Sequence, residues 1–320
     1  MGESPASNLP PALAPLDLEQ LRTYSIHERE HLVSEERFAV PVEPGGSLDA
    51  FLDSLPSILA VERLRTLAEW IAKARQAKRR VLVGLGGHVI KVGLGPLLGD
   101  MIERGAITDL ALNGSGAIHD LELALIGKTS ERVADTIADG RFGMIRETAE
   151  AFARIARRGA QDERGLGRAV AEEIATGDYP HRDRSLILRA AQAGAQVTVH
   201  AALGTDTIHA VPGACGASLG AATHTDFRRL AAVVSQLEGG VYLNVGSAVI
   251  LPEVFLKAVS VARNLGASVA DVSAANLDMV QHYRPTKNVL ERPVARGLAL
   301  TGHHELLVPL LRAEVLRRLA

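Results

Sequence analysis

The sequence predicts an α/β protein: a doubly wound, mostly parallel, Rossmann-like sheet with helices on both faces. Three observations carry that expectation. From Ser47 onward, short runs rich in Val, Ile and Leu alternate with longer stretches of helical spacing. Apolar residues make up 47% of the 320 residues but aromatics only 3%, which suits a buried parallel sheet better than a β-sandwich. The apolar runs also end, one after another, in turns of glycine and other small residues.

Residues 1–46 read as a flexible or subunit-docking arm, because Pro5, Pro10, Pro11, Pro15, Pro41 and Pro44 punctuate a polar stretch without periodicity. Residues 47–320 read as one domain. Ser47 is a candidate N-cap, Val61, Leu64, Ala68 and Ile71 recur at helical spacing, and the basic cluster Lys78-Arg79-Arg80 closes that helix. A first strand is expected at 81–85, a helix from Pro96 to Glu103, and a second strand at 107–113. Helices are expected at about 120–126, 143–158 and 165–176. Helix–strand pairs follow at 185–194 and 195–201, at 227–237 and 241–246, and at 252–266 and 267–276, with a last helix at 304–319.

Composition excludes several classes. A net charge of -2 lacks the basic excess that nucleic-acid binding needs. The single cysteine, Cys215, leaves no disulfide framework and reads as a small buried apolar filler, with a catalytic thiol as the alternative. No apolar run approaches the roughly 18 residues of a membrane span, and the start lacks the pattern of a signal peptide or lipid anchor, so a cytoplasmic protein without membrane contact is expected. His200, His209, His224, His282, His303 and His304 are widely spread, and no metal site is expected from them.

Ligands of open parallel sheets bind beyond the carboxyl ends of the strands. Here those ends read Gly86-Gly87-His88, Asn113-Gly114-Ser115, His200 through Asp206 to His209, Gly246-Ser247, and Ala275-Asn276. Glycine lets a ligand approach the backbone, and helix starts supply free N–H groups. The first turn is not a G-x-G-x-x-G fingerprint, since Val89 stands where the third glycine would be. Among ionisable groups His119 is the candidate base, with Asp120 beside it as orienting group or N-cap. Asp206 and His209, three apart, are candidates for one cleft; Lys287 lies in a polar loop after the last expected strand.

The run VLVGLGGHVIKVGLGPLLGDMIERGAITDLALNGSGAIHDLELAL (81–125) resembles the segment of deoxyhypusine synthases that leads through their cofactor-binding turns. The similarity continues through 186–206 and covers about residues 60–276. The 109–130 segment is also similar to the NAD-dependent ornithine cyclodeaminase domain of archaeal and cyanobacterial type, matching at Asn113, His119, Asp120, Glu122 and Ser130. The resemblance implies a deoxyhypusine synthase-like fold, a homotetramer, and NAD held against Gly86, Gly87, His88, Asn113, Gly114, Ser115, Asp206, Gly246, Ser247 and Asn276. The departures are as informative. The family's Trp-Gly-Lys segment has no counterpart, Trp70 being the only tryptophan, and its Gly-Gly-Gly-Lys-His-His turn is replaced by Gly246-Ser247-Ala248. A true deoxyhypusine synthase is not expected.

These readings combine into an NAD-dependent enzyme oxidising an amine, amino acid or related small polar metabolite through an imine. In that reading His119 is the base, Asp120 orients it, and Lys287 is the candidate for a covalent Schiff base. His209 and Glu253 contact the substrate, with Asp206 an alternative holder of its cation. Two other classes stay open: a metal-dependent hydrolase built on the His-rich strand-end loops, and a non-catalytic nucleotide-binding or assembly protein.

Overall fold

The structure is a computed structural model and describes residues 12–320. Pro5, Pro10 and Pro11 of the expected arm lie outside the described residues. Residues 12–46 carry two short 3₁₀ turns, Leu18–Gln20 and Glu35–Arg37, and are largely exposed.

The stretch expected as one helix after Ser47 is two: α1 (Leu48–Ser54) and α2 (Leu59–Gln76). Ser47 does cap α1, its side chain accepting the Ala50 N–H, a contact worth about 1 kcal/mol. The chain breaks before Pro56, whose ring disfavours helical backbone at the preceding residue. Six strands follow, the five expected and a sixth at the edge: β1 (Val81–Leu85), β2 (Asp109–Asn113), β3 (Gln196–His200), β4 (Val241–Val245), β5 (Ser273–Asp278) and β6 (Arg296–Thr301). All pair in parallel, in the order β3-β2-β1-β4-β5-β6. Between them run α3 (Gly87–Lys91), α4 (Gly95–Glu103), α5 (Gly114–Ile126), α6 (Val133–Thr136), α7 (Arg146–Ala160), α8 (Leu166–Thr176), α9 (Leu186–Gln192), α10 (Gly216–Val234), α11 (Ile250–Asn264) and α12 (Tyr283–Pro285). A π-helical turn, Thr286–Glu291, continues α12, and α13 (His304–Leu319) closes the chain.

Strand alternation divides two cores. Val83, Leu85, Leu243 and Val245 face one, shared with α2, α4, α5 and α13. Leu82 and Tyr242 face the other, against α11 and the last turns of α10. Tyr242 stacks on Phe255 with ring centroids 3.8 Å apart. Its hydroxyl lies where a Cβ on Gly84 would be, at 2.4 Å, so that glycine serves packing within the sheet.

The strand order reverses between β1 and β4, and both leave the sheet through glycine. Gly86 donates its N–H to the Val245 carbonyl at 2.9 Å, and a Cβ on Gly86 would stand 1.9 Å from the Gly246 carbonyl oxygen. No side-chain rotation relieves a clash with backbone. Gly86→Ala is therefore expected to cost about 3 kcal/mol or more, read as a lowered urea midpoint. Gly216→Ala, at a helical position with nothing within 4 Å, is the control and should unfold at the parent's midpoint or slightly above it.

Cys215 is exposed rather than a buried filler; it stands at the start of α10 with its Sγ facing the Ser218 hydroxyl. No helix among the described residues is long and apolar enough to cross a membrane.

Candidate functional site

Beyond the carboxyl ends of β2 and β3 lies a cavity of about 460 Å³, bounded by α5, the 128–145 loop, the start of α7 and residues 205–211. That volume falls within the range of roughly 300–1,000 Å³ usual for small-molecule sites. Of the expected site residues, Ser115, His119 and Asp206 line it.

α5 positions the first two. It starts where Asn113 turns its side chain back, Oδ1 accepting the Gly116 N–H at 2.9 Å, and ends at Gly127 in the left-handed conformation (φ 67°). His119 sits one and a half turns in. Its Nδ1 is 2.7 Å from the Thr129 hydroxyl, which in turn donates to Glu122 Oε2 at 2.5 Å. Thr148 donates to the other Glu122 oxygen at 3.1 Å. Burial raises the Glu122 carboxyl, but the His119 ring 3.9 Å away and hydrogen bonds from the Thr129 and Thr148 side chains outweigh it and hold the group below its ordinary value. An ionised Glu122 only accepts, so the one Thr129 proton points to it. Thr129 Oγ1 must then accept from His119 Nδ1–H, which leaves the lone pair on Nε2. That is the tautomer a proton acceptor needs.

Asp120 does not orient His119. It is fully buried and accepts from the Ser185 hydroxyl and the backbone N–H groups of Leu186 and Ile187, at 2.5, 2.7 and 3.2 Å, capping α9. Burial pushes its carboxyl up to about 6, against the pull of those donors. The sequence expectation failed here for a geometric reason: neighbours on a helix point about 100° apart, whereas residues three apart share a face. Glu122, three residues after His119, carried that signal.

Asp206 reaches across from the β3 loop and lies over the start of α5. It accepts the Ala202 N–H at 3.1 Å, and its carboxylate occupies the space beside Gly114, where a Cβ would come within 2.1 Å. Burial raises its pKa, opposed by the backbone donors of Ala202 and Ser115 and by the neighbouring His209. His209 stands behind this loop, Nδ1 accepting from the Gly204 N–H at 3.1 Å.

A second group gathers at the strand reversal: Gly86, Gly87, His88, Gly246 and Ser247. Gly87 packs against Ser115, with no room for a Cβ. The His88 ring tilts against that of His304, centroids 5.6 Å apart, and burial together with repulsion from His304 and Lys91 lowers its pKa. Ser247 is buried and its hydroxyl accepts the Leu251 N–H, capping α11. Asn276 departs from expectation. It is fully enclosed, its side chain spent between Asn244 and Gln281, so it offers nothing to a ligand.

Glu253 and Lys287 form a third group, away from the cavity. Glu253 Oε1 accepts from Asn288 at 2.8 Å and faces Arg284 at 3.2 Å, while its other oxygen meets Lys257. Lys287 pairs with Glu291 on the π-helical turn. Neither lines the cavity, so the expected Schiff-base and substrate roles find no shared space with His119.

The sequence reading passed over one motif. His27-Glu28-Arg29-Glu30-His31 is an H-E-x-x-H run, but it lies in an exposed turn and His31 Nε2 bonds the Ile26 carbonyl at 2.8 Å. That motif binds metal only when a helix puts both imidazoles on one face. Among the described residues no group of three or more His, Cys, Asp or Glu side chains is placed to hold a metal ion.

No protein-family model and no curated protein matches the chain. Solved structures do. AgrE in ternary complex with ornithine and NAD+ superposes with a TM-score of 0.51 at 14% identity, over 80% of this chain and 33% of that one. ArgZ, an arginine dihydrolase from the ornithine–ammonia cycle in cyanobacteria, gives 0.50 at 16% over 81% of this chain and 33% of that one. A conserved LOR/SDH protein from Methanococcus maripaludis S2 gives 0.50 at 14% over 81% and 70%. The chain thus spans about a third of the AgrE and ArgZ chains. At these identities the shared property is the fold: an α/β protein with a parallel six-stranded sheet flanked by helices.

Proposed function

We propose that the chain is an NAD-dependent enzyme that oxidises an amine, an amino acid or a related small polar metabolite through an imine. The observation that carries this reading is the His119–Thr129–Glu122 relay, opening on a cavity at the strand ends of a sheet with a β1/β4 reversal. AgrE, bound to ornithine and NAD+, has the same fold, which supports the cofactor as part of the proposal.

The residues present fit a dinucleotide. The turns at Gly86, Gly87 and Gly246 bring bare backbone together at the reversal, packed too closely for a side chain, and the Asp206 carboxylate lies against the first turn of α5. Backbone at Gly86, Gly87 and Gly246, the Ser115 hydroxyl and Asp206 as an acceptor for ribose hydroxyls would hold the group. Once bound it supplies a hydride acceptor. The chain's own part is then defined. Nε2 of His119 takes the proton that the substrate ammonium must lose, Thr129 keeps the ring in the right tautomer, and Glu122 stabilises the imidazolium so formed.

A homotetramer in the cytoplasm and the docking role of the arm belong to the same proposal. The exposed Leu13, Leu16, Leu18, Leu21, Phe38 and Val40 support association through the arm.

Titration of the purified protein with NAD+, followed by a panel of amines and amino acids monitored at the absorbance of the reduced cofactor, tests the reading. Micromolar NAD+ affinity and turnover with at least one primary amine are expected. A folded protein with no NAD+ affinity refutes it.

A further inference from the structure

The lining of the cavity carries information about its ligand. Four carboxylates border it, and each is already engaged by the chain's own donors. Glu122 accepts from Thr129 and Thr148, and Glu131 from the Gly143 N–H at 2.8 Å. Glu147 pairs with Arg146, and Asp206 accepts from Ala202. The two lysines that line the cavity, Lys91 at the end of α3 and Lys128 after α5, are exposed and make no ion pair or side-chain hydrogen bond among the described residues. The lining also has an apolar part, formed by Ile118, Leu125, Phe142, Ile145, Ile208 and Val211.

From this lining we infer that the cavity takes a ligand with an apolar body and one anionic group, an aliphatic or aromatic carboxylate, with the anion toward Lys91 and Lys128. The inference rests on the reading above for the reaction at His119, and makes the substrate an amino acid with an apolar side chain. An apolar body gains from every CH₂ it buries against such a wall, about 0.8 kcal/mol each by the usual transfer scale. A carboxylate finds two cations free to meet it. A second ammonium, as ornithine carries, meets carboxylates already partly satisfied by Thr129, Thr148 and backbone N–H groups, and so gains less than a carboxylate does at the two unpaired lysines.

Binding without turnover separates this from the reaction. Hexanoate, hexylamine, L-ornithine and AMP are titrated into the protein by calorimetry at low salt, and NAD+ is titrated separately. Hexanoate is expected to bind at least about tenfold more tightly than hexylamine or ornithine. The Lys91→Gln/Lys128→Gln variant should lose about tenfold in hexanoate affinity, and Lys91→Arg/Lys128→Arg should retain it. Both lysines are exposed, so neither variant is placed to disturb folding.

Tighter binding of hexylamine or ornithine, or an unchanged hexanoate affinity in the glutamine variant, overturns the inference. Competitive displacement of hexanoate by AMP also overturns it, since the cavity would then belong to the nucleotide. Hexanoate binding without NAD+ affinity removes the proposed reaction and leaves the inference standing; NAD+ affinity without hexanoate binding does the reverse.

Discussion

His119→Ala should lower kcat by about 10²–10⁴-fold while leaving NAD+ affinity within about twofold of the parent. That range is the usual contribution of a positioned general base, and His119 is the imidazole that lines the cavity. The relay behind it makes the expectation sharper than loss of activity alone. Thr129→Val keeps the side-chain shape and removes the hydroxyl that both receives Nδ1–H and donates to Glu122. The ring is then free to take the other tautomer, so kcat should fall by about tenfold and its acid limb should move, with KM nearly constant. Thr129→Ser restores the hydroxyl and should restore most of the rate. Asp120→Asn acts elsewhere: it weakens the cap on α9 and should lower the melting temperature before it touches the pH profile. Stopped-flow measurement of the reduced cofactor across pH, paired with thermal melts, separates these outcomes. Equal activity in His119→Ala and the parent would remove His119 from the chemistry.

Much of this architecture is legible in the residues, and the parts that are not have physical reasons. β1 and β4 read clearly because strands buried on both faces are nearly continuous apolar runs, as VLVGL and VYLNV are. β6 was not legible. RGLALT lies at the sheet edge, begins with exposed Arg296 and Gly297 and is only half covered, so it carries no buried-strand signature. The first turn of α5 reads as loop because Gly114-Ser115-Gly116 has poor helix propensity. The structure needs that smallness, since Gly114 faces Asp206 and Gly116 lies against Leu112. α10 likewise begins eleven residues before the expected Phe227, its start hidden in a run of Gly and Ala.

The candidate site divides for one topological reason. Linear order places Asn113, Asp206, Glu253 and Lys287 alike, each after a strand. The order β3-β2-β1-β4-β5-β6 puts the β2 and β3 loops on one side of the reversal and the β4 and β5 loops on the other. With strands about 4.8 Å apart, β2 and β5 are separated by roughly 14 Å. No pattern in the sequence shows that gap, which is why Lys287 and His119 were grouped as one centre.

Asp226→Asn should gain up to about 4 kcal/mol of stability relative to the parent as pH rises from about 4 to above 7. Asp226 is fully buried on α10, where one carboxylate oxygen accepts both the Gly167 N–H of α8 at 2.7 Å and the Val199 N–H of β3 at 2.8 Å. Its other oxygen has no hydrogen-bond partner, and Arg229 approaches only to 3.6 Å. Burial therefore pushes the carboxyl up to about 7, against the pull of the backbone donors and the Arg229 charge. Because the folded value lies above the ordinary aspartate value, the folded chain holds this proton more tightly than the unfolded one. The contribution is full below about pH 4, where both states are protonated, and is lost as pH rises through the folded value. Asparagine is neutral throughout and its amide oxygen can accept from Gly167 and Val199 alike, so the variant should match the parent at pH 4 and exceed it at pH 8. Alanine cannot accept. It would leave two buried N–H groups unpaired and should cost about 3 kcal/mol or more at every pH. Urea midpoints of the three proteins at pH 4, 6 and 8 decide the matter: a difference between the parent and Asp226→Asn that stays constant over that interval would mean that Arg229, and not burial, governs the Asp226 carboxyl.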